Sequence, residues 1–118
     1  MSRVREIVQL KQERKARLKA SLDTIVGQLK NLGAEKILVF GSFAEGDIDV
    51  QSDLDLLVVM PSTRTGKEWT RLVYERVERN IAADIMVYTE GELEEKLPSS
   101  RFLQQVTQKG ISVYEKTS

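Results

Sequence analysis

The 118-residue chain is predicted to fold as one α/β domain, a small β-sheet with helices packed on it behind a long N-terminal helix. Three observations lead there. Apolar residues recur at helical spacing up to Leu32. Four short apolar runs follow, spaced for strands: Ile37–Phe40, Asp53–Met60, Ala83–Tyr88 and Ile111–Tyr114. Between them stand glycine, proline and helix-capping signals, and alternation of this kind builds a layered α/β domain. The whole chain reads as a single unit near the modal domain size, with residues 1–32 as a helical segment and 36–118 as the core.

Arg3 to Leu32 is read as one long helix or a helix pair. Leu18, Leu22, Ile25, Leu29 and Leu32 form a stripe in steps of four and three, while Lys11 and Lys15 interrupt the seam of the first half. Gly33 is the expected stop. The basic first half is read as a solvated face; the sharper alternative is a docking surface for an acidic partner or RNA. The strand Asp53–Met60 obeys period two, so Asp53, Asp55, Leu57 and Val59 share one face and Leu54, Leu56, Val58 and Met60 the other. Pro61 ends it. Thr65 to Glu68 has capping-box spacing, opening a helix that turns Trp69, Leu72, Val73 and Val77 inward. After Ala83–Tyr88, a turn or short helix covers Glu90 to Leu97 and Pro98 breaks it. Ser99 or Ser100 caps a last helix carrying Phe102, Leu103 and Val106, Gly110 ends that helix, and Ile111–Tyr114 closes the sheet.

Composition narrows the chemistry. Eighteen basic residues balance eighteen acidic ones, so no strong overall field draws the chain to nucleic acid. The charge is uneven along the chain: the first 20 residues are basic, and Glu45 to Asp55 is acidic. The absence of cysteine removes disulfides and thiolate metal sites. No apolar stretch is long enough to span a bilayer and no signal-peptide core is visible, so a cytoplasmic protein away from membranes is expected. The absence of histidine excludes Ser-His-Asp and Cys-His catalysis, leaving carboxylates, Lys, Tyr or water for acid–base work.

The informative passage is Gly41-Ser42-Phe43-Ala44-Glu45-Gly46, followed by Ser52-Asp53-Leu54-Asp55-Leu56. Asp53 and Asp55, two apart on a strand, project from the same face, and two like charges so close repel unless a cation sits between them. No Lys or Arg lies between Lys36 and Arg64. A hard divalent cation answers the problem, and magnesium takes one or two protein carboxylates together with substrate phosphates. Asp84 opens the next strand on a face shared with Met86 and Tyr88. If that strand lies beside Asp53–Met60, three carboxylates converge and suit a pair of metal ions. Gly41 lets the chain leave its strand at an unusual φ, and Ser42 with nearby N–H groups can cradle phosphate. Metal-assisted phosphoryl or nucleotidyl transfer follows as the expected chemistry.

Each fragment also has a plain reading, as a turn or a solvated loop end. An EF-hand is rejected because Ser52 stands where its glycine is required and Val58 where its glutamate is. The ordered set resembles the DNA polymerase β-like nucleotidyltransferase superfamily, which pairs G-S-x-x-x-G with S-D-x-D-L and a later strand Asp. In length it is similar to the minimal nucleotidyltransferases (MNT). The resemblance implies a mixed sheet of the nucleotidyltransferase fold, and transfer of a nucleoside monophosphate to a hydroxyl, AMP from ATP or the corresponding monophosphate from another nucleoside triphosphate. Carried over, Gly41, Ser42 and Ser52 would hold the nucleotide. Asp53, Asp55 and Asp84 would be catalytic and would bind two magnesium ions, with manganese as the alternative.

Basic residues common in the family are replaced by Phe43 and Glu45; Arg64, Lys67 or Arg71 are the candidates to compensate. Many such proteins resemble the antitoxin of HEPN–MNT pairs, which implies a HEPN-type protein partner as acceptor, or a second copy closing the site. Against the enzyme stands an antitoxin-like module that neutralises a HEPN partner by contact, with weak or no catalysis. An RNA-directed transferase using the basic helix is the third reading.

Overall fold

The computed structural model describes residues 3–46, 48, 53–78 and 83–117. The order of elements is α1 (Arg3–Leu32), β1 (Lys36–Phe40), α2 (Ser42–Glu45), β2 (Leu54–Met60), α3 (Gly66–Arg76), β3 (Ala83–Thr89), α4 (Glu90–Lys96), a 3-10 turn (Leu97–Ser99), α5 (Arg101–Lys109) and β4 (Ile111–Glu115). The sheet is mixed, in the order β3-β2-β1-β4. β2 and β3 run parallel, and β1 is antiparallel to both β2 and β4. The parallel pair needs a crossover, and α3 supplies it.

Strand parity divides the core into two layers. Leu54, Leu56, Val58 and Met60 pack with Leu18, Leu22, Ile25 and Leu29 of α1 and with Trp69 and Val73 of α3. On the opposite face Leu57 and Val59 pack with Leu38 and with Leu103 and Val106 of α5. β2 is therefore buried on both faces over most of its length, as a central strand covered by helices must be.

The helix ends follow the signals in the chain. At the end of α1 the Gly33 N–H donates to the Lys30 carbonyl (3.0 Å) and the Ala34 N–H to the Leu29 carbonyl (3.0 Å). With Gly33 at φ 108° this is a Schellman ending, and the contact across it is apolar because Ala34 and Leu29 are both buried. Thr65 and Glu68 form a complete capping box at α3, and the Glu68 carboxyl is held below its usual pKa, first by its hydrogen bond from the Thr65 N–H. Ser100, not Ser99, caps α5 by accepting from the Leu103 N–H (3.2 Å). Trp69 is core, as its bulk predicts, and its indole N–H donates to the Pro61 carbonyl (2.8 Å).

The two sheet edges differ. Along β3 the Tyr74 hydroxyl of α3 donates to the Ile85 carbonyl (3.3 Å) and accepts from the Ile85 N–H (3.2 Å), closing part of that edge. β4, on the other side, shows a register irregularity opposite Ile37 and Leu38 and keeps Ile111 and Val113 exposed. Irregular pairing of this kind blunts an edge strand against further strand addition.

α1 is far longer than the strand it precedes. Thirty residues of helix span about 45 Å, whereas five residues of β1 span about 17 Å. Only three residues connect them, so the first half of α1 overhangs the end of the sheet where β1 finishes and β2 begins. Its buried residues start at Leu18, and the molecule is accordingly elongated, 56 Å by 30 Å by 24 Å.

The junction of α5 and β4 has no room for a side chain. A Cβ on Gly110 would meet the Val106 carbonyl oxygen in hard contact and the Val39 carbonyl oxygen at 3.2 Å. Both obstacles are backbone and cannot swing aside. Gly110→Ala is expected to cost about 1–3 kcal/mol of stability, read as a lower urea midpoint at unchanged m-value.

Candidate active site

Three elements meet where α1 overhangs. β1 ends at Phe40, and the chain leaves it through Gly41, at φ 78° and ψ −155°, a conformation essentially confined to glycine. A Cβ there would also stand 2.5 Å from Asp55 Oδ2 and would push that carboxylate aside. α2 then makes a single turn and ends at Gly46 in the left-handed conformation. The half-buried Phe43 and Ala44 of that turn pack against the α1-side core, which fixes the turn to the body of the molecule. Gly41 and Ser42 thus lie at the lip of the sheet, with the Asp55 carboxylate directly against the glycine.

The carboxylates come next. Asp55 is the cross-strand partner of Phe40 on one side and of Asp84 on the other. Because β2 and β3 are parallel and in register, the two Asp side chains emerge side by side on one face, the face that carries Leu57 and Val59 further along. Asp53 precedes β2 and is exposed. The Asp55 carboxyl is held above the usual range, first by burial, then by the charge of Asp84, and then by that of Asp53. Asp55 therefore sits at the centre of a concentration of negative charge, as the spacing in the sequence predicts.

The three are not gathered equally. Asp55 and Asp84 are direct neighbours, whereas Asp53 is turned to a cation: Arg14 Nη2 of α1 donates to Asp53 Oδ1 at 3.2 Å. Among the described residues no three carboxylates are drawn together as a ready metal cluster. Ser52, assigned from the sequence to nucleotide binding, lies outside the described residues, as do Asp47 and Asp49.

The cations that the sequence offered as compensation are elsewhere. β2 runs about 20 Å away from Asp55 before α3 begins, so Arg64 and Lys67 stand at the far end of the sheet. Arg64 lies over the Trp69 ring, 5.5 Å from its centre. Lys67 lines a cavity with Tyr88, Glu92 and Lys96 along β3. Arg71 is exposed on α3. Arg14 is the residue that reading the sequence missed. It belongs to the half-helix taken as a solvated face, and 39 residues separate it from Asp53. The one available signal was the length of the helix, which must carry its first half past the end of β1.

An apolar wall flanks the site. Phe40 is on the carboxylate face, and the Phe102 ring of α5 meets it edge-on, centroids 5.6 Å apart at 82°, while Phe102 remains exposed.

Carboxylate oxygens at a lip of glycine and serine form a set for a hard divalent cation and a phosphorylated ligand. The donor set fits magnesium even without a three-carboxylate cluster, because magnesium completes its shell with water and phosphate oxygens. Asp55 and Asp84 would hold it, with Asp53 once turned from Arg14.

Comparison with known proteins gives the family. A curated relative from Methanocaldococcus jannaschii, provisionally named as a protein adenylyltransferase, is 27% identical over 79 residues, covering 67% of this chain and 78% of its own. The fold is similar to the crystal structure of a protein from Sulfolobus solfataricus, provisionally named as a nucleotidyltransferase. The TM-score is 0.65 at 20% identity, covering 91% of this chain and 88% of that one. The family model described as nucleotidyltransferase domain matches residues 21–116, a span that takes in the Gly-Ser turn and all three aspartates, and the chain belongs to that family.

Proposed function

We propose that the protein is a magnesium-dependent nucleotidyltransferase that moves a nucleoside monophosphate, AMP from ATP, onto a hydroxyl of a protein partner. The observation that carries this reading is the placement of Asp55, in register with Asp84 and pressed against the bare backbone of Gly41. A charge so crowded destabilises the fold unless something cationic uses it. The M. jannaschii relative, by its name a protein adenylyltransferase, supports a protein acceptor.

In this reading Gly41 and Ser42 receive the triphosphate. The opening N–H groups of a helical turn have no intrahelical acceptor and can donate to phosphate oxygens. Asp53, Asp55 and Asp84 hold the metal, with Asp84, at the exposed head of β3, nearest to where an acceptor can approach. The bound metal supplies charge neutralisation on the phosphates and a lowered pKa for the acceptor hydroxyl. What the chain itself supplies is orientation: a rigid strand pair that keeps two carboxylates at fixed spacing, and a lip that keeps the phosphates beside them. The aspartates are the groups available to take a proton, since the chain has no histidine.

The partner is proposed to be of the HEPN type, with the overhanging half of α1 as the open flank against which it docks. Val4, Ile7, Val8 and Leu10 are exposed there, among the basic residues of the first 20. Neutralisation of such a partner by contact alone is the second reading, favoured by the absence of a cation in the Gly-Ser turn.

Asp55→Asn and Asp84→Asn are each expected to lower magnesium-dependent transfer of label from α-labelled ATP by at least a hundredfold while far-UV circular dichroism stays native. Full activity in both variants would dismiss the site. The partner is tested by co-purifying the chain with the product of its neighbouring gene and weighing that product: one added nucleoside monophosphate, absent with Asp84→Asn, is the expected result, and tight binding without added mass favours contact alone.

Asp55 also makes a pH signature. Its pKa is raised in the folded state above the ordinary 3.8, so its contribution to stability is fully present below that value and is lost as pH rises through the raised one. In chelator, Asp55→Asn should therefore melt at the same temperature as the unaltered protein near pH 3 and increasingly above it towards neutrality. Magnesium or manganese should close that gap by raising the Tm of the unaltered protein alone.

A further inference from the structure

We infer that Arg14 is a nucleotide-binding residue, which grips the β- and γ-phosphates of the triphosphate from the overhang of α1. The inference rests on the nucleotidyltransferase reading above and adds to it a residue that neither the turn nor the acidic strand supplies.

A triphosphate brings several negative charges to a lip already carrying Asp53, Asp55 and Asp84. The chain from Ile37 to Thr63 contains no Lys or Arg, so neither the Gly-Ser turn nor β2 can offset them. Arg64 cannot either, because it lies over Trp69 at the far end of the sheet. Lys36, at the start of β1, is at that same far end, 3.7 Å from Glu115. Arg14 is at the right end. Its guanidinium bonds Asp53 at 3.2 Å, and its side chain is mostly shielded, 20% exposed against 53% for Asp53. It is the residue of the first half of α1 that is not fully exposed, from Arg3 to Arg17.

Chemistry favours this side chain for the task. A guanidinium is always charged and presents a planar fork that matches phosphate oxygens in pairs, which a lysine ammonium does not. In the ligand-free chain Asp53 keeps it at the lip. When Asp53 turns to a divalent cation, the guanidinium exchanges one anionic oxygen for another and remains in place. The same contact therefore serves two states: it offsets the aspartates before nucleotide arrives, and afterwards it holds the phosphates away from the transferred α-phosphate.

The test is equilibrium binding, by calorimetry in magnesium, of a non-transferable ATP analogue with a methylene between the α- and β-phosphates, and of AMP. The proteins are the unaltered chain, Arg14→Ala and Arg14→Lys. Arg14→Ala should weaken the triphosphate analogue at least tenfold and leave AMP within about twofold, with Arg14→Lys between. Equal weakening of both ligands would overturn the inference, because it would mean a general loss of the site. So would unchanged or tighter triphosphate binding, especially with tighter manganese binding by electron paramagnetic resonance, which would make Arg14 only a counter-ion for Asp53. If the unaltered chain binds no nucleotide, the nucleotidyltransferase reading itself fails, and this inference with it. A native circular dichroism spectrum and melting curve for Arg14→Ala show that the helix is retained.

Discussion

The register of β2 between its two neighbours is the constraint on which the rest of the molecule depends. Strand side chains alternate with a period of two, so a slip of one residue would exchange the faces completely. Asp55 would then enter the layer filled by Leu18, Leu22 and Ile25, and Leu54 and Leu56 would go to the other face. Four buried apolar residues on one face and two on the other, in two layers of different composition, make the slip prohibitively costly at about 1.5–3 kcal/mol for each misplaced side chain. The core therefore does more than stabilise. It is the device that aims a carboxylate, and in-register pairing with β3 aims the second one beside it.

Charge is sorted along the sheet axis rather than mixed over the surface. At one end stand Asp53, Asp55, Asp84 and Glu45, while Lys36, Arg64 and Lys96 engage Glu115, Trp69 and Tyr88 elsewhere. A balanced composition thus conceals a strong local field. The overhang of α1 answers it with the opposite sign, since seven basic and two acidic residues occupy the first 20 positions. The neutral net charge of the chain is the sum of two opposed regions that meet at the lip.

Much of this was legible in the sequence because the determining interactions are local or periodic. The stripe from Leu18 to Leu29, the Gly33 ending, the Thr65–Glu68 box, the end of β2 at Pro61 and the alternation of β2 each depend on residues within a few positions of one another. Asp84 was legible for a different reason, as a charge at the head of an apolar strand, and the condition that this strand lie beside β2 is met. The second capping box, Thr89 with Glu92, was equally local, and it decides for a helix where the sequence reading left a turn or short helix open. The Arg14–Asp53 bond, the closure of the β3 edge by Tyr74 and the irregular pairing of β4 were not legible. They depend on how far one element reaches past another, and such distances are set by packing. Placing Arg64 and Lys67 near the nucleotide failed for the same reason: adjacency in sequence after β2 means the opposite end of the sheet in space.

The position of Gly41 joins these levels. Its backbone conformation is one that other residues avoid, and its missing side chain is the space that the Asp55 carboxylate occupies. A strand end that needed only to turn would tolerate many residues; a strand end that must turn while a charged group touches its backbone tolerates glycine alone. Burial and like charge make this site less stable than an uncharged one would be. Such a fold is held together by its two leucine-rich layers so that, at one end, it can hold together like-charged groups that would otherwise move apart.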